Sequence, residues 1–377
     1  MNVTKVSSIV LNDFTNDSRV LKQGNSISGF GYELVIIAIH EKGLKEIDQT
    51  ELGVRVHRVK LWSKNIGKSV FSKAIKYLEF LLRVGIRYRK FDIVHCHDLS
   101  ALPIGCFIRL LSLGRVKIVY DAHEYCINDT PNESPRRQAV KKIIEGRLIK
   151  KVDAVITVSN SIADLYQNVY SLDDRPYVVL NCPIKKPVKK SNTLKEELGL
   201  NPDVFLVLYQ GALTFGRGIE ETIKFFKTNE NKDIVIVFMG FGQLTEYVKS
   251  NVCKNIFFYP AVEPRKLLDY AASADCGIAL IEDSCLSYRY CLPNKLFDYF
   301  MAGLPVIVSD LPEMKKIVLE HNVGQVFDFK KHGDLGKAID AVRETKNGVL
   351  ASRLRKASAE YNWKVQEDVL AKVYDRL

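Results

Sequence analysis

With 377 residues, 47% of them apolar and 26% charged, the chain has material for two ordinary domains with cores of their own, and its composition excludes disorder as the default state. No apolar run approaches the roughly 20 residues that a membrane-spanning helix requires, and the start, MNVTKVSSIVLND, has a polar break where a secretory leader needs a continuous apolar core, so a cytoplasmic protein is expected. The net charge of +11 is uneven: residues 1–185 hold 28 Lys and Arg against 19 Asp and Glu (+9), whereas 186–377 hold 27 against 25 (+2). Two clusters carry most of it, with nine basic residues and one acid in 60–90 and seven and one in 136–151.

In chain order, short apolar runs alternate with helical patterns: VSSIVL, LVIIAI, FDIVHC, KIVYDA, DAVITVS, YVVLN, then FLVLYQG, DIVIVFMG, NIFFYP, ADCGIALI and GLPVIVS. Runs of four to seven residues rich in Val and Ile, without polar alternation, predict strands buried on both faces of a parallel sheet, joined by amphipathic crossovers. The fold class is therefore α/β, doubly wound. Two prolines and a group of lysines in NCPIKKPVKKSNTLK, after which the rhythm restarts, mark a boundary. This divides the chain into a domain over 1–183 and another over 184–360, with a terminal helix at 361–377 built on Trp363, Val369, Leu370, Val373 and Tyr374. Eight cysteines (96, 106, 126, 182, 253, 276, 285 and 291) lie scattered with no Cys-x-x-Cys pair, a pattern of reduced core thiols and not of disulfides or a zinc site.

Several stretches could carry chemistry. In FSKAIKYLEFLLRVGIRYRK, Phe71, Ile75, Leu78 and Leu82 line one helical face and Lys73, Lys76, Arg83 and Arg87 another. Such a helix either lies on an anionic membrane surface or packs on a core with a solvated outer face; a second basic cluster in the same domain favours the membrane. Nucleic acid is the other partner a basic patch can serve, but no recognition motif is present, so none is expected.

In YQGALTFGRGIEETIK, a strand runs into Gly211, Gly216, Arg217 and Gly218 and opens a helix. Glycines let backbone N–H groups approach an anion, the helix start adds its positive dipole end, and Arg217 offers a fork to a phosphate. An ordinary tight turn explains the glycines as well, so this loop alone decides nothing. FMGFGQLTEYVK repeats the form without a cation and reads as a turn. In CLPNKLFDYFMAGLPVIVSD, a helix over 294–302 starting after Pro293 puts Lys295 and Asp298 on one face. That pairing suits a diphosphate and a ribose diol. An exposed ion pair would explain the charges but not their place beside Gly303-Leu304-Pro305 and a buried strand.

The stretch 291–312 resembles the donor site of retaining GT-B fold glycosyltransferases of family 4, the group 1 type, in which an acidic residue five places before a Gly-x-Pro-Val segment holds the nucleotide ribose; Asp298 has that place. The likeness extends over nearly all of the chain, through FTNDSRVLKQGNSISGFGYELVIIAI, FDIVHCHD, VYDAHE, the Gly-Arg-Gly loop and the helix around Trp363. It departs at three points. Tyr290 stands where the first of two glutamates is usual, Ala212 follows the first glycine of the phosphate loop in place of an Arg, and NDFTNDSRV replaces a Gly-Gly loop after the first strand.

The resemblance implies two Rossmann-like domains facing a cleft, with acceptor binding in the first and nucleotide-sugar binding in the second. It implies retaining transfer from a UDP- or GDP-sugar to a hydroxyl of a cell-envelope polysaccharide or lipid-linked glycan. The implied catalytic set is His123, Arg217 and Lys295, with Gly211, Gly216, Gly218, Asn294, Asp298 and Tyr290 on the nucleotide sugar. Arg19, His97 and Asp98 fall to the acceptor, although strand capping by His95 or His97 and a structural ion pair for Arg19 explain those residues equally. No Asp-x-Asp cluster is present, so no metal and no cofactor beyond the co-substrate is expected, at a site peripheral to the cytoplasmic face of a membrane. Two alternatives are a sugar-nucleotide 2-epimerase of the same fold and a catalytically silent binding subunit.

Overall fold

A computed structural model describes residues 3–228, 233–331, 334–345 and 347–377. The chain forms two compact units, one running to Val179 and completed by Glu367–Leu377, the other Leu180–Gln366. The sequence placed the change at 183/184. It falls earlier because the segment after the last strand of the first unit is tied to the second: Leu180 N–H donates to Gln366 Oε1 (2.8 Å) and Trp363 N–H to Pro183 O (2.8 Å).

The first unit holds one sheet of eight strands: β1 (Lys5–Ile9), β2 (Glu33–Ile39), β3 (Ile47–Gln49), β4 (Arg55–Val59), β5 (Ile93–His97), β6 (Lys117–Asp121), β7 (Ala154–Thr157) and β8 (Tyr177–Val178). Their order is β3-β4-β2-β1-β5-β6-β7-β8, parallel throughout except for the β3–β4 pair. β5 is buried along its whole length, as expected for a strand covered by helices on both faces. Short polar side chains start the helices by accepting an orphan backbone N–H: Asp17 for Ser18–Gly29, Ser69 for Val70–Tyr88, Ser134 for Pro135–Leu148 and Ser159 for Asn160–Tyr170. The helix Asp98–Leu111 follows β5 directly.

A polar bolt holds the helix Pro135–Leu148 in place. Glu145 is fully buried and accepts hydrogen bonds from the hydroxyls of Tyr120 (2.5 Å), Tyr166 (2.8 Å) and Tyr170 (2.6 Å), which spread its charge in a dry site. The closing helix Trp363–Asp375 returns to this unit, where Glu367 accepts from Ser26 Oγ (2.7 Å) and the Tyr374 ring meets Tyr32 edge-on at 5.2 Å.

The second unit carries six parallel strands, β9 (Phe205–Ala212), β10 (Ile234–Phe241), β11 (Ile256–Tyr259), β12 (Cys276–Ala279), β13 (Val306–Ser309) and β14 (Gly324–Phe327), in the order β11-β10-β9-β12-β13-β14. Val207, Ile236, Phe238, Ile278 and Ile307 from the sheet pack with Ile219, Ile223 and Ile339 from the helices in one core. In each sheet the winding reverses once, between β1 and β5 and between β9 and β12. Loops diverge from the carboxyl ends of those strands and leave room for a ligand. The cysteines form no disulfide, and among the described residues no helix is long and apolar enough to cross a membrane.

Candidate functional site: two loop clusters at the sheet switch points

In the second unit the crowded end of β9 is built from glycine by necessity. Gly211, Gly216 and Gly218 have φ of +112°, +73° and +66°, a region side chains rarely enter, and a Cβ on Gly218 would lie 2.5 Å from Leu280 Cβ. The loop therefore runs close against the sheet and presents Arg217, whose guanidinium stacks on the Tyr288 ring at 4.4 Å from its centroid.

Lys295 and Asp298 come from the helix Asn294–Met301, which begins after Pro293 with no side-chain cap and no acid in its first turn. Its start therefore leaves the positive end of the helix dipole without an acidic side chain of its own. Tyr299 fastens this helix to β9: its hydroxyl donates to Leu208 O (2.9 Å) and accepts from Gln210 N–H (3.1 Å). Lys295 is thereby laid over the strand end, Nζ 3.7 Å from the centroid of the Tyr209 ring and 3.9 Å from where a Gly211 Cβ would stand. Burial, aided by the nearby Arg217 charge and opposed by Asp298, lowers its pKa to about 7. Asp298 accepts from Gln210 Nε2 (3.2 Å), and Gln210 Oε1 is buried with no hydrogen-bond partner among the described residues.

Acids line the far side of the loop. Glu282 N–H donates to Gly216 O (3.1 Å), and burial together with Glu220 and Glu221 raises the Glu282 pKa. Asn294 is exposed at the start of its helix, and Tyr290, half-buried, ends the short helix Leu286–Arg289. Arg217, Lys295, Asp298 and the three glycines thus converge on one strand end, with two cations close enough to repel each other.

The first unit gathers Arg19, His97, Asp98 and His123 around Asp121, a fully buried carboxylate at the end of β6. Arg19, 4% exposed, donates from Nε (2.9 Å) and Nη2 (2.5 Å) to Asp121 and from Nη1 to Val179 O (2.7 Å), so its guanidinium is committed within the unit. Gln23 Nε2 adds a further bond to Asp121 (2.9 Å). His123 Nε2 lies 3.1 Å from both Asp121 Oδ2 and His97 Nδ1, and its backbone N–H donates to Asp98 Oδ1 (3.0 Å). His97 Nε2 meets Ser8 Oγ (2.9 Å), and His95 Nδ1 meets the Tyr374 hydroxyl (2.8 Å).

Burial opposes charge on Asp121, but Arg19 and His123 outweigh it and hold the carboxyl well below its usual range. Burial likewise opposes a proton on His123, and Asp98 and Asp121 overcome it, raising that pKa, whereas burial pulls His95 and His97 down. One histidine of the three thus favours the charged form. His95, His97 and Asp121 place ligand atoms within 4.8 Å of one another. A dication there would compete with the Arg19 guanidinium already bound to both Asp121 oxygens, so a hydrogen-bonded network describes the cluster better.

The chain matches two families, Glycosyltransferase Family 4 over residues 20–185 and Glycosyl transferases group 1 over residues 190–361. It belongs to the group 1 type glycosyltransferases. The chain is 22% identical over 258 residues to an uncharacterized glycosyltransferase of Methanocaldococcus jannaschii, a match covering 65% of this chain and 64% of that protein's length. Sucrose-phosphate synthase from Thermosynechococcus elongatus has a similar structure, with a TM-score of 0.80 and 14% identity over 99% of this chain and 98% of that one. Anabaena HepE in complex with UDP-glucose gives 0.76 and 13%, over 99% and 100%. These structures share the GT-B fold, and the two parallel α/β units have that architecture.

Within this glycosyltransferase, sequence reasoning missed Tyr209, Gln210, Tyr288, Asp121 and Glu282. Tyr209 and Asp121 sit in apolar runs that read as core, and Tyr288 is recognisable only once Arg217 is seen on its ring.

Proposed function

We propose that this glycosyltransferase moves a sugar from a nucleoside-diphosphate sugar, with UDP and GDP as the candidate nucleotides, to a hydroxyl of a cell-envelope polysaccharide or lipid-linked glycan, with retention at the anomeric carbon and without a metal. The observation that carries the reading is the pair Arg217 and Lys295. Each lies on a tyrosine ring, and among the described residues neither forms a salt bridge with a carboxylate. Two like charges held together on aromatic rings, with only the nearby Asp298 carboxylate to offset them in part, suit a diphosphate. The complex of HepE with UDP-glucose supports a uridine nucleotide as the first to try.

The step is a front-face substitution. The acceptor oxygen bonds to the anomeric carbon from the side on which the bond to the phosphate oxygen breaks, and the hydroxyl proton passes to the departing phosphate. The protein supplies position and charge: Arg217 and Lys295 neutralise the leaving diphosphate, Asp298 binds the ribose diol, and His123, held by Asp121, attends the sugar beside the reacting carbon. Arg19, whose guanidinium is bound to Asp121, acts as a positioning residue, and His97 and Asp98 are assigned to the acceptor. A cytoplasmic setting agrees with eight scattered cysteines and no Cys-x-x-Cys pair.

The test is incubation with UDP-glucose, UDP-N-acetylglucosamine or GDP-mannose in the presence of a chelator, followed by NMR of the sugar released or transferred. Retained anomeric configuration with chelator present supports the reading. Inverted product, or turnover only with added metal, overturns it.

A further inference from the structure

The helix Val70–Tyr88 turns Phe80, Val84, Gly85 and Tyr88 into its own unit. Its opposite side is apolar as well. Phe71, Leu78, Leu82 and Ile86 recur at helical spacing on one stripe with Ile75 between them, and they are 76%, 55%, 42% and 57% exposed. A helix that already packs one face gains nothing in the fold from a second apolar stripe in water, which marks a surface for contact. Lys73, Lys76, Arg83 and Arg87 run along the same helix. Trp62, 88% exposed, stands at the edge of the stripe: its backbone N–H donates to Glu79 Oε1 (2.8 Å) and the Arg83 guanidinium lies 3.9 Å from its ring centroid.

Exposed apolar side chains recur on the neighbouring helices. Val70–Tyr88, Asp98–Leu111 and Pro135–Leu148 are the crossovers into β5, β6 and β7, which are successive strands of the sheet, so right-handed connections set all three on the same face. The first touches the second and the second the third. Leu110 and Leu113 are exposed at the end of the second, and Val140, Ile143 and Ile144 on the third, among Arg136, Arg137 and Arg147.

We infer that this three-helix face docks on an anionic lipid surface, with its exposed apolar side chains entering the interface and the Lys and Arg beside them meeting headgroups. A second copy of the chain fits poorly, since it would set one cluster of nine basic residues and one acid (60–90) against another. The inference stands apart from the transfer reading, because none of the exposed apolar or basic side chains named for this face belongs to the donor or histidine clusters.

Sedimentation of the full chain with phosphatidylcholine vesicles, with and without phosphatidylglycerol, tests it. Trp62 serves as a built-in probe, because the only other tryptophan, Trp363, is 6% exposed. Sedimentation with phosphatidylglycerol vesicles alone, a blue shift of emission that Trp62→Phe removes, and weakening by salt are expected. Phe71→Ser with Leu78→Ser and Leu82→Ser should lower partitioning at least on the order of tenfold, since each large side chain loses its transfer into the interface. Nucleotide binding and thermal unfolding of that variant should stay at the parent values. Lys73→Glu with Lys76→Glu and Arg87→Glu should remove the preference for phosphatidylglycerol. Equal partitioning of the triple serine variant, absence of a blue shift, absence of sedimentation, or self-association without vesicles that the serine variant abolishes would each overturn the inference.

Discussion

The ammonium of Lys295 lies 3.7 Å above the centroid of the Tyr209 ring, beside Arg217 and within reach of Gly211. The aromatic face and, in part, the Asp298 carboxylate support this cation, and burial together with Arg217 brings its pKa to about 7. On the proposed reading, a bound diphosphate would restore the charge. Binding should therefore take up a proton, with affinity at its full value below pH 7 and falling as pH rises from 7 toward the higher pKa of the complex. Calorimetry in buffers of different ionisation enthalpy checks this, and Lys295→Met should abolish both the uptake and the slope.

Asp298 should act on the ribose and not on the phosphates. Asp298→Ala is expected to weaken nucleoside diphosphate binding on the order of tenfold to a hundredfold, as for loss of charged hydrogen bonds, while inorganic pyrophosphate binds as before. Equal loss for both ligands would move Asp298 from the ribose to the phosphate-binding loop.

The sheet register was legible to different degrees. Eleven of the strands correspond to apolar runs visible by eye, whereas β3, β4 and β14 do not. β4, RVHRV, hides because it buries Arg58 and His57: Arg58 Nε donates to Asp13 O (2.9 Å) and Nη1 to Asp48 (3.0 Å), and His57 Nδ1 meets the Tyr88 hydroxyl (2.6 Å). Partners that satisfy a buried polar group are distant in sequence, so no local pattern signals them. The same holds for the two loop clusters. Lys295 and Asp298 were readable because a helix brings neighbours three apart onto one face, but Asp121 joins Arg19 across 102 residues and was read as part of an apolar strand.

That pair makes a strong stability prediction. Asp121→Leu leaves the Arg19 guanidinium buried and unpaired and should cost about 3–5 kcal/mol, against much less for Asp121→Leu combined with Arg19→Met. Urea unfolding of the two variants measures the difference. Equal losses would show that the carboxylate and guanidinium are not coupled.

Acid should destabilise the amino-terminal unit before most carboxylates titrate. His57 is lowered to about 4 by burial and by Arg87, and His95 is lowered by burial. A group depressed in the folded state contributes stability that is present above its unfolded pKa of about 6.5 and lost as pH falls toward the folded value. Melting temperature should drop between pH 6.5 and 4, and His57→Asn should flatten part of that drop. His123, raised instead, works in the opposite direction and is outnumbered.

The measurement that bears most directly on the donor site is calorimetric titration of the chain with UDP, GDP, ADP, CMP and dTDP in the presence of a chelator. Saturable binding of one nucleoside diphosphate is expected, strongly weakened by Arg217→Ala and by Lys295→Ala with the fold unchanged. Failure of every nucleotide to bind, or binding of CMP alone, would contradict the assignment of those two cations to a diphosphate.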